Sequence, residues 1–150
     1  MAGDTRRECR CTPLQAARYR GRLSGPLRDR LDVIVEVPAL PADVLGSAAP
    51  GESSAAVRAR VIGARDRQRG RYDGEGLGTN AELTPALMTR YCRLDQAGVR
   101  LLGAAVERLA LSGRGYDRVR KVARTIADLD GADEIAADHV AEALQFRMLE

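Results

Sequence analysis

Residues 24–38 read SGPLRDRLDVIVEVP and set Arg28, Asp29, Arg30, Leu31 and Asp32 directly against a run of β-branched residues. A solvated turn explains such a cluster. So does an arginine held at a fixed height to touch something outside its own subunit. A second arginine stands out by position. Arg114, in LSGRGYDRV, falls at the start of an expected helix, where the dipole and the free N–H groups favour anions over a cation. An arginine is comfortable there when a phosphate joins it, or when Asp117, three residues on, neutralises it. Arg118 lies one turn along.

Other residue types narrow the chemistry. Lys121 is the only lysine, and it sits in RVRKVART without the glycines of G-x-x-x-x-G-K-[ST], so this chain holds no complete P-loop. The GEGLG of residues 74–78 looks like a phosphate loop, but no buried strand leads into it. Cys9 and Cys11 form a Cys-x-Cys pair, and two thiolates do not close a structural zinc site, so no metal site is expected here. Cys92 follows Tyr91 on an apolar helix face and reads as a small core residue. His139, the single histidine, has no ligand or catalytic constellation beside it and reads as a surface or helix-start residue. The arginines Arg58, Arg60, Arg65, Arg67 and Arg69 read as a solvated helix face, or as a track for a DNA backbone.

These side chains must be carried by a mainly α fold. Aromatics make up 3% of the chain, so its core rests on Leu, Val, Ile and Ala, which at this spacing favours helix. A net charge of +3 is too small to mark a polybasic nucleic-acid binder by composition alone. The odd cysteine count, with no signal peptide and no long apolar run, points to a cytoplasmic protein with reduced thiols and no membrane segment. Thr12 and Pro13 open a helix that Ser24-Gly25-Pro26 ends. Residues 31–37 are the one convincing strand, with Val33, Val35 and Val37 on one face. A lone strand cannot make a sheet. Its partners lie in another chain, or the polypeptide is the end of a larger domain.

Residues 39–54 read as a connection, an arginine-rich helix follows with Val57, Val61 and Ala64 on one stripe, and 70–80 reads as a flexible loop. From Glu82 onward the pattern is helical. Thr84-Pro85 opens a short helix, and Asp95 caps one carrying Val99, Leu102, Val106 and Leu109. Ser112-Gly113 opens one with Tyr116, Val119, Val122, Ala123, Ile126 and Leu129 inward, stopped at Gly131. A last helix buries Val140, Leu144 and Phe146.

The stretches CRCTPLQAARYRGRLSGPLRDRLDVIVEVP, GRGYDRVRKVARTIADLDG and IAADHVAEALQFR make the chain resemble the C-terminal part of magnesium-chelatase-like AAA+ ATPases of the ComM/YifB group. The resemblance covers nearly the whole chain and is weakest over 39–80. It implies that 1–38 is the last helix, finger turn and strand of an α/β core, 39–80 a linker with an arginine-rich helix, and 81–150 a helical lid. The family's Walker A, Walker B and first sensor precede the matched region, so the chain is expected to be inactive alone and to bind no cofactor tightly. In the intact protein the resemblance implies ATP and Mg2+, a missing N-terminal core, a homo-oligomeric hexameric ring, and a DNA-processing motor. Arg30 matches the family's arginine finger, acting in trans on a neighbour's ATP, and Arg28 is the weaker candidate. Arg114 matches the second sensor arginine of the lid, with Arg118 as runner-up on the nucleotide phosphate. Cys9 and Cys11 match half of a zinc site completed by an upstream Cys-Pro-Cys-Gly. A porphyrin substrate follows only from the family's name, and no residue here carries it. A stand-alone helical module that binds nucleic acid or a protein, without ATPase activity, is the competing expectation.

Overall fold

The computed structural model describes residues 10–22, 24–37, 40 and 51–147, with only the backbone at Arg20 and Arg28. Among them are seven α-helices and one 3-10 turn: α1 (Pro13–Arg20), α2 (Gly25–Arg28), α3 (Ser54–Arg71), the turn Asn80–Glu82, α4 (Pro85–Tyr91), α5 (Gln96–Leu109), α6 (Gly113–Asp130) and α7 (Ala137–Gln145).

Their starts follow side-chain chemistry. Thr12 accepts from the Gln15 N–H while Gln15 reaches back to the Thr12 N–H, a reciprocal cap that opens α1. Asp95 accepts from the Gly98 N–H at 2.6 Å to open α5, and Ser112 accepts from the Gly115 N–H at 3.1 Å to open α6. Gly131 ends α6 with φ at 79°, a left-handed backbone that suits glycine. Ser24 behaves differently from the expectation. The chain has already left α1 at Gly21, and the Ser24 oxygen caps α2 instead of ending α1.

The core lies around α6, which packs on α3, α4 and α7, while α5 packs on α7. Leu102, Val119, Ala123, Val140 and Ala143 are fully or almost fully buried there with Met88 and Cys92. Removing one such leucine from water stabilises the fold by about 1.5–3 kcal/mol. Two expected inward residues are not inward, since Val99 and Leu129 remain exposed at the rims of their helices. α3 runs antiparallel to α6, with Arg71 beside Asp128 and Arg67 beside Gly131. It therefore outruns the end of α6 by roughly 15 Å, at 1.5 Å per residue. Only Ala64 and Gln68 of its stripe are buried, and Val57 and Val61 continue that stripe into solvent.

The loop expected to be flexible over 70–80 is instead pinned by a buried polar network. The Tyr72 hydroxyl donates to Asn80 Oδ1 at 2.6 Å, and the Asn80 amide donates to Asp128 Oδ2 at 2.9 Å and to the Thr125 hydroxyl at 3.0 Å. Arg71 forks onto Asp128, and Arg124 donates to the same carboxylate and to the carbonyls of Ala132 and Asp133. α3, the 3-10 turn and α6 itself thus meet at one carboxylate, and Arg124 ties the start of the α6–α7 connection to it.

Residues 31–37 also depart from expectation. They are extended but form no ladder, and the Ile34 N–H bonds to the Phe146 carbonyl at 3.2 Å. A strand needs a second strand to satisfy its backbone, and none stands beside it among the described residues. Leu31, Val33, Val35 and Val37 are consequently exposed. Among the described residues one bridge is present, joining Leu94 to Ile135.

Candidate functional site

α2 ends at Arg28, and the turn that follows brings Arg30, Asp32 and Val33 to the mouth of a groove of about 830 Å3. α6 supplies the facing wall with Arg114, Asp117, Arg118 and Lys121, and apolar side chains such as Leu83, Met88 and Ile126 line the floor. The two arginines singled out in sequence, 84 positions apart, thus open on one groove.

The carboxylates that would neutralise them are engaged elsewhere. Asp29 accepts from the Ser112 hydroxyl at 2.7 Å, and Asp32 is ion-paired with Arg118. Asp117 lies 3.8 Å from Arg120 rather than against Arg114. The guanidinium groups of Arg30 and Arg114 make no hydrogen bond or ion pair with the described residues. Lys121 donates to the Ala81 carbonyl at 3.0 Å, and Arg120 donates to the carbonyls of Met88 and Cys92, closing the end of α4. Two cations thus line the groove without a partner among the described residues.

Arg114 occupies the second position of α6, as its spacing indicated. Asp29 completes the picture at that helix start, because it brings a carboxylate to the Ser112 cap. Arg118 is placed on the groove and is paired with Asp32.

The remaining candidates do not join the site. Cys9 lies outside the described residues, Cys11 is exposed, and no group of three or more His, Cys, Asp or Glu suited to a metal is found among the described residues. Burial pushes the Cys92 thiol up to about 11, so it is an inert core residue at neutral pH. His139 stands in the first turn of α7, where Nδ1 accepts from the Ala136 N–H at 3.0 Å and Nε2 lies 3.2 Å from Asp130. It is a cap. Of the arginines on α3, Arg60 is paired with Glu52 and Arg69 with Asp66. No described helix is long and apolar enough to cross a membrane.

Sequence reasoning missed Asn80, Arg124 and Asp128. The signal for the last two was present, an Arg and an Asp four apart on the face of α6 that also carries Ala123 and Ala127. Buried charges at that spacing pair with one another.

Residues 51–147 match the family model of the C-terminal region of magnesium chelatase subunit ChlI, and residues 1–45 match that of the ChlI subunit itself. The chain belongs to the magnesium chelatase ChlI-like family. It is 42% identical over 142 residues to the uncharacterised protein YifB of Escherichia coli, and 43% identical to YifB of Salmonella typhimurium, covering 94% of this chain and 27% of each relative. It is also 42% identical to the competence protein ComM of Haemophilus influenzae, over 93% of this chain and 27% of that protein. The chain spans about a quarter of the length of these curated relatives.

Proposed function

We propose that this chain is the C-terminal part of a ring-forming, DNA-processing AAA+ ATPase of the ComM/YifB type, and that it supplies arginines to a nucleotide without holding a complete ATP site itself. The observation that carries this reading is the shared groove. Arg30 and Arg114 face it without partners, while Asp29, Asp32 and Asp117 are each engaged by another residue.

ATP with Mg2+ supplies the phosphoryl group to be transferred to water. Arg30 is the finger. Its guanidinium is always charged and forks onto phosphate oxygens, so it stabilises the charge that spreads over them in the transition state. Its place on an exposed turn suits a nucleotide held by the neighbouring subunit of the ring. Arg114 opens on the same groove and therefore engages that same nucleotide, not one bound by its own subunit. No metal role is assigned to the residues of this chain, and its divisions at 38 and 80 are proposed as core remnant, linker and lid.

In the complete ring protein, Arg30→Ala is expected to lower ATP turnover by about 10³-fold or more while leaving ATP binding nearly unchanged. Steady-state hydrolysis and a fluorescent-nucleotide titration read the two quantities. A parallel loss of both, or of neither, removes the finger assignment.

A further inference from the structure

The turn that carries Arg30 is fastened to the helical bundle on both sides of that residue. Before it, the Asp29 carboxylate accepts from Ser112, the cap of α6. After it, Arg147 donates to the Leu31 carbonyl at 2.7 Å, Arg118 pairs with Asp32, and the Ile34 N–H donates to the Phe146 carbonyl at 3.2 Å. The side chain of Arg30 is left out of this set. The attachment points come from the start of α6, its second turn, and the end of α7, so they hold the turn in more than one direction.

We propose that Asp32 and Arg118 form a positioning pair that latches the Arg30 turn to the bundle, and that Arg118 serves this pair rather than nucleotide phosphate. The proposal rests on the finger reading of Arg30. One guanidinium nitrogen of Arg118 meets Asp32, and the paired carboxylate offsets the charge that would draw a phosphate there. Keeping the pair costs nothing at Arg30, whose own guanidinium stays available. The latch also makes the finger move with the helical bundle, since every hold on residues 29–34 named above comes from α6 or α7. A displacement of the bundle at one nucleotide site therefore shifts Arg30 directly, with no need for a change inside the turn.

Arg118 is 27% exposed and Asp32 is 54% exposed, so neither is needed for the core and variants at both positions should fold. In the complete ring protein, Arg118→Ala and Asp32→Ala should each lower kcat by about 10- to 100-fold, with the KM for ATP unchanged, because a finger misplaced by an ångström loses that much. The reciprocal exchange, Asp32→Arg with Arg118→Asp, should recover most of the lost turnover. A raised KM in Arg118→Ala with no recovery in the exchange would make Arg118 a phosphate ligand and overturn the latch. Amide hydrogen exchange at Ile34 in the 150-residue chain gives a readout that does not depend on ATP. Arg118→Ala should accelerate it several-fold, and an unchanged rate overturns the proposal. If Ile34 exchange accelerates while Arg30→Ala leaves turnover intact, the finger reading falls and the latch survives.

Discussion

Asp128 shows how much one side chain can decide. It is fully buried and receives hydrogen bonds from Arg71, Arg124 and Asn80, which come from α3, α6 and the 3-10 turn. Burial by itself pushes its carboxyl up. The hydrogen bonds from Arg71 and Asn80, with the charges of Arg124 and Arg71, outweigh that and hold it below the usual carboxylate range. Removing it leaves two buried or half-buried guanidinium groups uncompensated. Asp128→Ala is expected to destabilise the chain by about 3–5 kcal/mol, read as a fall in the urea midpoint. A carboxyl whose folded pKa is depressed contributes stability that is fully present above its unfolded pKa of about 4 and is lost as pH falls through the folded value. Denaturation midpoints taken from pH 6 downward should therefore drop steeply below about pH 4 in the wild type. In Asp128→Ala that portion of the acid sensitivity should be missing. At the candidate site, the arginine cluster of residues 28–32 and the helix-start Arg114 stood out by type and position, and the family resemblance chose Arg30 within the cluster. Neither indicated that Asp29 and Asp32, within two positions of Arg30, turn away to Ser112 and Arg118.

Individual elements were legible where a local signal set them. Thr12, Ser53, Thr84, Asp95 and Ser112 each cap the helix that follows, because a side-chain oxygen at that position satisfies an otherwise unpaired N–H. Helix ends were less uniform. Gly131 takes the left-handed backbone that its type allows, but Ala110 adopts φ 48° at the end of α5 with a Cβ that disfavours it. Ala110→Gly is accordingly expected to raise stability by about 1 kcal/mol, seen as a higher midpoint in thermal unfolding. A neutral or destabilising result would mean that the Ala110 methyl is held by packing. The apolar run 31–37 had the composition of a strand whose partners lie elsewhere, and it forms no ladder with the described residues. Ladder formation depends on a neighbour, and alternation along one segment carries no information about where that neighbour is. The same holds for α3, whose Val57 and Val61 had the spacing of a core stripe but lie beyond the end of α6.

At the scale of the molecule, the helical bundle buries its own core while residues 31–37 leave theirs in water. Val35 is 62% exposed and Val37 is 84% exposed. Such a surface associates with whatever can cover it. The isolated chain is expected to self-associate as concentration rises, and the double substitution Val35→Lys with Val37→Lys should return it to a monomer in sedimentation velocity. Persistence of association in that variant would move the contact elsewhere, with the exposed half of α3 as the next place to look.

What the amino-acid sequence determined by itself is the mainly helical class of fold, the capped helix starts and the absence of a complete P-loop, while the two arginines worth testing came from its family resemblance. The first three depend on residue type and on spacing within about one turn, where local geometry is nearly invariant. Tertiary structure alone decided that Arg30 and Arg114 share a groove, that Arg118 is spent on Asp32, and that Asp128 ties three elements together. Those facts depend on contacts between residues tens of positions apart, and the packing of α6 against its neighbours is what brings them within hydrogen-bonding distance.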